Sequence, residues 1–551
     1  MPQDRRPLIL LPLAALIAIT PLIFHGCSCG HDFDFHLINW FEAARQLAHA
    51  TFPRWANTPA WNAGEPRFVF YPPLSWLLGA LLGLLMPWTW TPIAFTWVVL
   101  TGAGLSLYYA ARNFASPDAA LVAAALYLTN PYILYTAYER TAYAELMAAI
   151  WIPLALSAVL RSRVTVPSVA IPIALLWLTN APAAVMGCYA MAVIVLIRLV
   201  LPGDARRLPL ALNAAAGALL GLGLASFYLL PAAYERRFVQ INMAILPGLR
   251  PWDNFLFQHT ADPEHDVVLR VASMVAILLI TLTALTFTWI FLGAPQSRTP
   301  PSSKPAAVTS RLGPILGILS LAIFFMLTPL SAPLWRYLPE LRFLQFPWRF
   351  LAVLGAVFGF ALTLALSRFR LRGSVAALLC AAAFALPGYR VFHQYCYPED
   401  TVAERLTVFR SADPGTDPTD EYTPVPADND FHNHQNPGYW LAEKPDVTAP
   451  EFATPGPAPR QLNLSPSEPT NLVLNLRNYP AWTVIRNGSP VSTRLARKDG
   501  LIAIPLPAGP SHLEITYATL RDQKLGYLVS VLSGAILGSL ILRERRRTRS
   551  L

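Results

Sequence analysis

Twelve apolar runs, each close to the roughly 20 residues needed to cross about 30 Å of hydrocarbon, limit what this chain can fold into. They lie near 7–24, 91–111, 119–137, 143–160, 165–180, 182–200, 208–230, 269–292, 313–330, 348–367, 373–391 and 524–542. With 54% hydrophobic and only 13% charged residues over 551 positions, the chain cannot cover a soluble multidomain surface. The predicted class is a polytopic α-helical membrane protein with about 12 transmembrane helices. A further run, Pro72 to Trp88, is short for a span and opens on two prolines, with another at Pro87.

Charge decides how that run is read. If it does not span, Arg5 and Arg6, Arg112, Arg161 and Arg163, Arg206 and Arg207, Arg298, Lys304 and Arg311, Arg368, Arg370 and Arg372, and the tail from Arg543 to Arg549 all fall on one side. Lys and Arg collect on the cytoplasmic side, so both termini are expected there and 72–88 is expected to be re-entrant or interfacial on the outer face. The formal charge of +10 is distributed in these small groups, which argues against a nucleic-acid partner and for contact with membrane lipids. Pro2 to Phe24 has no small-x-small cleavage signal behind it and reads as an uncleaved first span. The five cysteines match neither a zinc site nor a disulfide framework.

Three long segments then lie outside: Gly26 to Pro92, Pro231 to Leu269 and Val391 to Gln523. In the first, Leu37, Trp40, Phe41, Ala44, Leu47 and Ala48 follow helical spacing, with His36, Asn39, Glu42, Gln46 and His49 on the opposite arc. This predicts a helix in the membrane interface. An aromatic, proline-punctuated loop from Pro53 to Pro73 follows it, either an interfacial anchor or a sugar-binding wall. The last outer segment is polar and proline-rich from Tyr397 to about Pro469. Short strands are predicted after that at 472–476, 482–485, 491–495, 501–506 and 512–517, with Asn487-Gly488 as a hairpin turn. The expected organisation is a transmembrane domain over 1–391 with a large first outer loop (26–92), an extracytoplasmic β-sandwich-like domain over 392–523, and a final helix with a basic tail over 524–551. Residues 294–312 read as a flexible proline-rich cytoplasmic linker.

Ionisable groups beside lipid are costly and therefore point to function. Asp32 and Asp34, with His36 on the same helix face as Asp32, offer either a base for an acceptor hydroxyl or a ligand for a divalent cation such as Mg or Mn. Tyr138-Glu139-Arg140 with Glu145 offers an arginine clamp for a phosphate, or an internal salt bridge. Arg342, Gln345, Trp348 and Arg349 open the tenth span and suit an anionic headgroup, or simple interface anchoring. Gln258-His259, Asp262 and Glu264-His265-Asp266 have metal-ligand chemistry at irregular spacing. Glu235, Arg236 and Arg237 stand at another outer boundary. No Walker, GxSxG, HExxH or dinucleotide glycine motif is present in a suitable context, which removes ATP-driven transport and soluble-type hydrolysis.

His31-Asp32 with Phe35-His36, Pro53-Arg54-Trp55, Phe70-Tyr71-Pro72-Pro73-Leu74, Tyr138-Glu139-Arg140 with Ala144-Glu145, Leu344-Gln345-Phe346-Pro347-Trp348-Arg349-Phe350 and Tyr479-Pro480-Ala481-Trp482 stand together in one chain. In these the chain resembles the bacterial 6-pyruvoyl-tetrahydropterin synthase-related and YfhO-like membrane proteins, which are similar to GT-C glycosyltransferases. The resemblance implies a GT-C-like fold in the bacterial cytoplasmic membrane. It also implies transfer of a sugar from a polyprenyl-phosphate donor to an envelope glycan, lipid or protein acceptor on the outer face. Asp32 then matches the first-loop acid, as base or metal ligand, with Asp34 and His36 beside it. Arg140, Arg349 and Trp348 would hold the donor phosphate, supported by Glu139, Glu145, Trp55 and Tyr71. Asn180 stands where many relatives would have a histidine. The alternatives are a polytopic transporter or lipid-glycan flippase, which would carry ionisable groups at mid-membrane, and a noncatalytic envelope-assembly protein.

Overall fold

The structure is a computed structural model that describes residues 4–201, 207–292, 304–369, 371–450 and 454–549. Arg206, Arg298, Arg370 and the proline-rich run from Pro295 to Ser303 lie outside the described residues. The chain opens with α1 (Pro7–His25), whose Pro7 sits in the first turn, where a missing N–H costs nothing. After a short loop come α2 (Phe33–Ala48), α3 (Arg67–Phe70) and α4 (Pro73–Leu85). Helices α5 (Thr91–Ala111), α6 (Pro117–Leu128) and α7 (Pro131–Tyr138) follow, then α8 (Tyr143–Ala148), α9 (Ile152–Leu160) and α10 (Val166–Thr179). Each of α6, α7 and α10 has a proline in its first turn and a side-chain cap, from Ser116, Asn130 and Thr165 respectively. Asn180 caps α11 (Ala181–Val200) through Ala183 N–H at 2.9 Å, a local role that explains the residue without a ligand.

The rest of the helical part comprises α12 (Arg207–Leu224), α13 (Ser226–Glu235), α14 (Pro263–Leu292), α15 (Lys304–Met326), α16 (Ala332–Tyr337), α17 (Leu351–Leu366), α18 (Gly373–Phe392), α19 (Val402–Arg410) and α20 (Arg521–Arg549). Among the described residues ten segments are long and apolar enough to cross a membrane, eleven if α15 and the piece after its 90° bend count as one. The chain is a multi-pass membrane protein. The twelfth expected run is α10, which at 14 residues is a shorter apolar helix, and 72–88 contains the 13-residue α4.

The bundle has two chemically distinct ends. At one, Arg6 bonds Asp118 at 2.8 Å, Arg368 reaches the Ile290 carbonyl at 2.8 Å, and Arg198 reaches the Arg161 carbonyl at 3.0 Å. At the other, Ser28 Oγ donates to the Tyr138 carbonyl at 2.6 Å, Cys29 N–H donates to the Gln394 carbonyl, and Cys29 forms a disulfide with Cys396. The cysteine reading is thereby corrected: residues 367 apart in sequence are joined, and spacing alone could not have paired them.

Helix α2 also departs from expectation. Its apolar residues Leu37, Trp40 and Phe41 are buried as predicted, yet His36, Asn39 and Glu42 on the opposite arc are buried too. Glu42 accepts Asn57 N–H at 3.1 Å and Thr58 N–H at 2.8 Å, and Asn39 accepts Arg67 Nη1 at 3.0 Å. The polar arc thus faces the folded loop 54–67, whose hydrogen bonds replace water, and the helix does not lie at a lipid interface. Trp55 belongs to neither of the two predicted surfaces. It packs in the core of the β domain, 5.5 Å from Trp482 and 5.7 Å from Tyr479 between ring centres.

Two antiparallel sheets form that domain. One has the order β1 (Tyr439–Ala442), β3 (Thr470–Arg477), β6 (Leu501–Leu506); the other runs β2 (Gln461–Leu464), β7 (Ser511–Tyr517), β4 (Trp482–Arg486), β5 (Ser489–Pro490). The β4–β5 turn is Asn487-Gly488 with φ of 49° and 82°, the left-handed pair that such a hairpin requires. The predicted strand at 491–495 is reduced to a bridge between Leu495 and Ala503. Conversely β1, β2 and α19 lie in the stretch read as merely polar and proline-rich, because they are short and flanked by prolines.

A buried carboxylate joins this domain to the bundle. Glu235 accepts the Tyr479 hydroxyl at 2.5 Å and Gln523 Nε2 at 2.9 Å, beside Asp522. Burial raises its pKa from 4.5 to about 7 despite those hydrogen bonds. A group whose folded-state value is raised stabilises fully below its unfolded value, here 4.5, and loses that contribution as pH rises through about 7. The thermal unfolding midpoint of the wild type is therefore expected to fall as pH rises from about 5 to about 8. Glu235→Gln should flatten that slope; an unchanged slope would reject the assignment.

Candidate active site at the disulfide end

The site is built on the turn between α7 and α8. Asn130 accepts Tyr132 N–H and Ile133 N–H, which starts α7, and the helix ends at Tyr138. Thr141 then takes φ +47°, a backbone state disfavoured for a β-branched residue, and its hydroxyl donates to the Arg140 carbonyl at 2.7 Å. This reversal sets Glu145 in the first turn of α8, back toward Arg140.

The first loop docks on this turn through its backbone. His31 N–H donates to the Glu139 carbonyl at 3.2 Å and Asp32 N–H to the Arg140 carbonyl at 2.9 Å. Gly30 makes the approach possible, since a Cβ there would stand 2.0 Å from the Glu139 carbonyl oxygen. Gly30→Ala is expected to lower stability by about 1–3 kcal/mol through overpacking, read as a fall in the thermal midpoint. A midpoint equal to wild type would show the loop is not anchored there.

Four charges alternate across the site. Arg140 Nη1 donates to Glu145 Oε2 at 2.7 Å, Arg349 Nε lies 3.5 Å from the same oxygen, and the Tyr132 hydroxyl donates to Glu145 Oε1 at 2.5 Å. On its other side Arg140 Nη2 is 3.6 Å from Asp32 Oδ2, too long for a hydrogen bond. The Glu145 side chain is 3% exposed and that of Asp32 is 44% exposed. Asp32 stands at the N-cap of α2 but makes no side-chain capping bond, which leaves its partly exposed carboxylate without a backbone partner. Burial works against the Arg140 charge and the Glu145 carboxylate outweighs it, so Arg140 stays above the ordinary arginine pKa.

His36 lies one turn after Asp32, packed edge-on against Tyr71 at 5.9 Å and Tyr143 at 5.4 Å. Burial lowers its pKa to about 4, so it is a neutral wall at physiological pH. Burial likewise raises the Tyr71 pKa and keeps its hydroxyl protonated. Burial lowers His31 as well, against the pull of Asp32. Glu139, raised by burial to about 7, contributes its carbonyl to the loop anchor and forms no ion pair with Arg140.

The 345–349 segment reaches the site through a strained turn. Gln345 has φ +63° and ψ −51°, and Phe346 N–H closes on the Leu344 carbonyl at 2.6 Å, the geometry of a rare γ-turn. The Gln345 side chain holds the Ala244 carbonyl at 2.8 Å. Phe346 stacks on Trp348 at 4.4 Å, and the Arg349 guanidinium lies 5.1 Å from the Phe346 ring centre. Two neighbouring groups escaped the sequence reading, Tyr132 and Tyr135. The hydroxyl of Tyr135 and the indole N–H of Trp348 are buried without a hydrogen-bond partner. Nothing in the apolar periodicity around them marks either tyrosine.

Several predicted members lie elsewhere. Asp34 pairs with Arg405, which also holds Asp400 at 2.8 Å, so it ties α2 to α19 and does not join Asp32. Burial raises its pKa against the pull of Arg405. Trp55 is in the β-domain core, away from any sugar-binding wall. Arg342 is exposed over Phe343, Arg236 reaches Glu340 at 3.4 Å, and Arg237 stacks on Tyr234. His259 bonds Asp266 away from the site, whereas His265, bonded to Asn254, packs at 5.8 Å on Phe346 near His31 and so borders the site without sharing a ligand centre with the other members of its loop. For a divalent cation the donor set at Asp32 does not fit: its charged neighbour is a guanidinium. Among the described residues the group of three close ligand atoms is Cys27, Cys29 and Cys396, two of them in the disulfide.

In comparisons with known proteins, no family model and no curated protein matches the chain. Among solved structures it is similar to the arabinofuranosyltransferase AftD from Mycobacteria at 15% identity and TM-score 0.45, over 94% of this chain and 40% of that one. A mutant of AftD aligns at 17% identity and TM-score 0.42, over 70% of this chain and 28% of that one. The chain spans less than half the length of these structures.

Proposed function

We propose that the protein is a membrane glycosyltransferase of the GT-C kind, transferring a sugar from a polyprenyl-phosphate donor to an envelope glycan, lipid or protein acceptor. The observation that carries this reading is the half-exposed Asp32 carboxylate standing 3.6 Å from the buried Arg140, with Arg349 behind it on Glu145. One side of the site offers a base open to an incoming hydroxyl. The other offers the fixed positive charge of Arg140 and Arg349, which draws the donor phosphate to the arginine side of the site, away from the Asp32 carboxylate.

In the proposed reaction Asp32 takes the proton of the acceptor hydroxyl as its oxygen bonds to the anomeric carbon. The bond from that carbon to the phosphate oxygen breaks, and the electron pair leaves with the polyprenyl phosphate. Arg140 and Arg349 stabilise the charge that develops there; being fixed by Glu145, they need no reorganisation. Attack opposite the leaving group inverts the anomeric centre. His36, Tyr71 and Tyr143 form the dry wall below, and no step passes through a metal.

The proposed orientation puts the site on the outer face. The arginine groups gather at the opposite end of the bundle, as cytoplasmic ends do, and a disulfide persists in an oxidising compartment. Both termini then lie in the cytoplasm, and counting α10 and α15 as spans gives the twelve. The test is a transfer assay with the purified full chain, a polyprenyl-phosphate sugar and cell-envelope acceptor fractions. Release of free polyprenyl phosphate that depends on acceptor is expected; donor left intact across envelope fractions would sink the proposal.

A further inference from the structure

At the basic end, far from Asp32, the bundle carries a cleft of about 410 Å³. It is bounded by the turn between α9 and α10, by Arg198 of α11, by the start of α12 and by Leu540, Arg543 and Glu544 of α20. Among the described lining residues, Arg163, Arg198 and Arg543 bring three positive charges against the one carboxylate of Glu544. Arg198 is buried and donates to the carbonyls of Val159 and Arg161, so it fixes the end of α9 and the shape of the turn. Asn213 holds the same turn from α12 through the Val164 carbonyl at 2.9 Å. The positive end of α10, opened by the Thr165 capping box, faces the same space.

Val164, Val166, Pro167, Leu210 and Leu540 add an apolar side to the wall, next to the hydroxyl residues Ser162 and Thr165. Helices α12 and α20 are also the least covered spans among the described residues, with 22% and 11% of their apolar windows buried, so two of the helices that bound the cleft carry uncovered apolar faces. Fixed cations over an apolar wall at a membrane boundary match a lipid phosphate with its chains alongside. We propose that this cleft binds the headgroup of an anionic phospholipid of the cytoplasmic leaflet, with Arg163 and Arg543 meeting the phosphate. The inference does not use the catalytic reading, but its choice of leaflet rests on the orientation proposed above.

The test uses the detergent-purified full chain and native mass spectrometry, with phosphatidylglycerol and phosphatidylcholine of the same acyl chains as competing probes. Wild type is expected to prefer phosphatidylglycerol by about tenfold. Arg163→Gln with Arg543→Gln should bring the two lipids to parity, and Glu544→Gln, which removes the opposing charge, should widen the preference. Arg112→Gln, an arginine of the same end stacked near Tyr108 and Tyr109, should leave it unchanged. No preference in wild type, retention in the double variant, or an equal loss with Arg112→Gln would overturn the proposal. So would displacement of the lipid by inorganic phosphate or glycerol 3-phosphate alone, since the site would then hold an ion without a lipid.

Discussion

Exchange of Arg140 for methionine is expected to lower stability by about 3–5 kcal/mol and to abolish transfer, because it strands a buried acid. Glu145 is 3% exposed and would keep only the Tyr132 hydroxyl and the 3.5 Å contact from Arg349. The loss should appear as a lower thermal midpoint and a smaller yield of monodisperse protein. Adding Glu145→Leu to Arg140→Met removes that stranded acid but leaves Arg349 without its carboxylate, so it should restore only part of the stability while transfer stays absent. That separation distinguishes a phosphate clamp from a structural ion pair. If the double variant regained transfer with its stability, Arg140 would be only a partner for Glu145. Arg140→Lys should keep the fold and lose part of the rate, since an ammonium cannot span Glu145 and a phosphate oxygen with one fork.

Asp32→Asn is expected to behave in the opposite way. Its carboxylate is 44% exposed, caps no helix N–H and meets Arg140 only at 3.6 Å, so stability should change by no more than about 0.5 kcal/mol. A positioned base contributes roughly 10²–10⁴-fold, and the transfer rate should fall by that much with little change in donor binding. Envelope glycan analysis at unchanged protein level reads the same loss in cells. A wild-type rate in Asp32→Asn would remove the base from the mechanism. Asp34→Asn serves as the contrast: its loss should fall on stability through Arg405 and leave the transfer step intact.

The membrane spans and the gathering of arginines at one end were legible in the sequence because twenty-residue apolar runs and charge bias are local signals. So were Asp32, Arg140, Glu145 and Arg349 as separate motifs. The resemblance grouped them in one site, but the contacts between them were not legible, since Glu145 meets Arg349 204 positions away in sequence and only packing brings them together. Asp34 was misplaced because its partner Arg405 lies in a short helix hidden among prolines. The burial of both arcs of α2 escaped for a related reason. A polar arc predicts water only while nothing else supplies hydrogen bonds, and here the loop 54–67 supplies them.

The Cys29–Cys396 bond sets a schedule for biosynthesis. Cys29 leaves the ribosome with the first apolar helix, but Cys396 follows α18, so the loop that carries Asp32 cannot be locked until nearly all the bundle has been inserted. Until then Asp32 relies on two backbone hydrogen bonds to the Glu139–Arg140 turn. A nascent or truncated chain therefore displays the acidic loop without its covalent tether. Competence arrives late, as a single event shared by the first loop and the last third of the polypeptide.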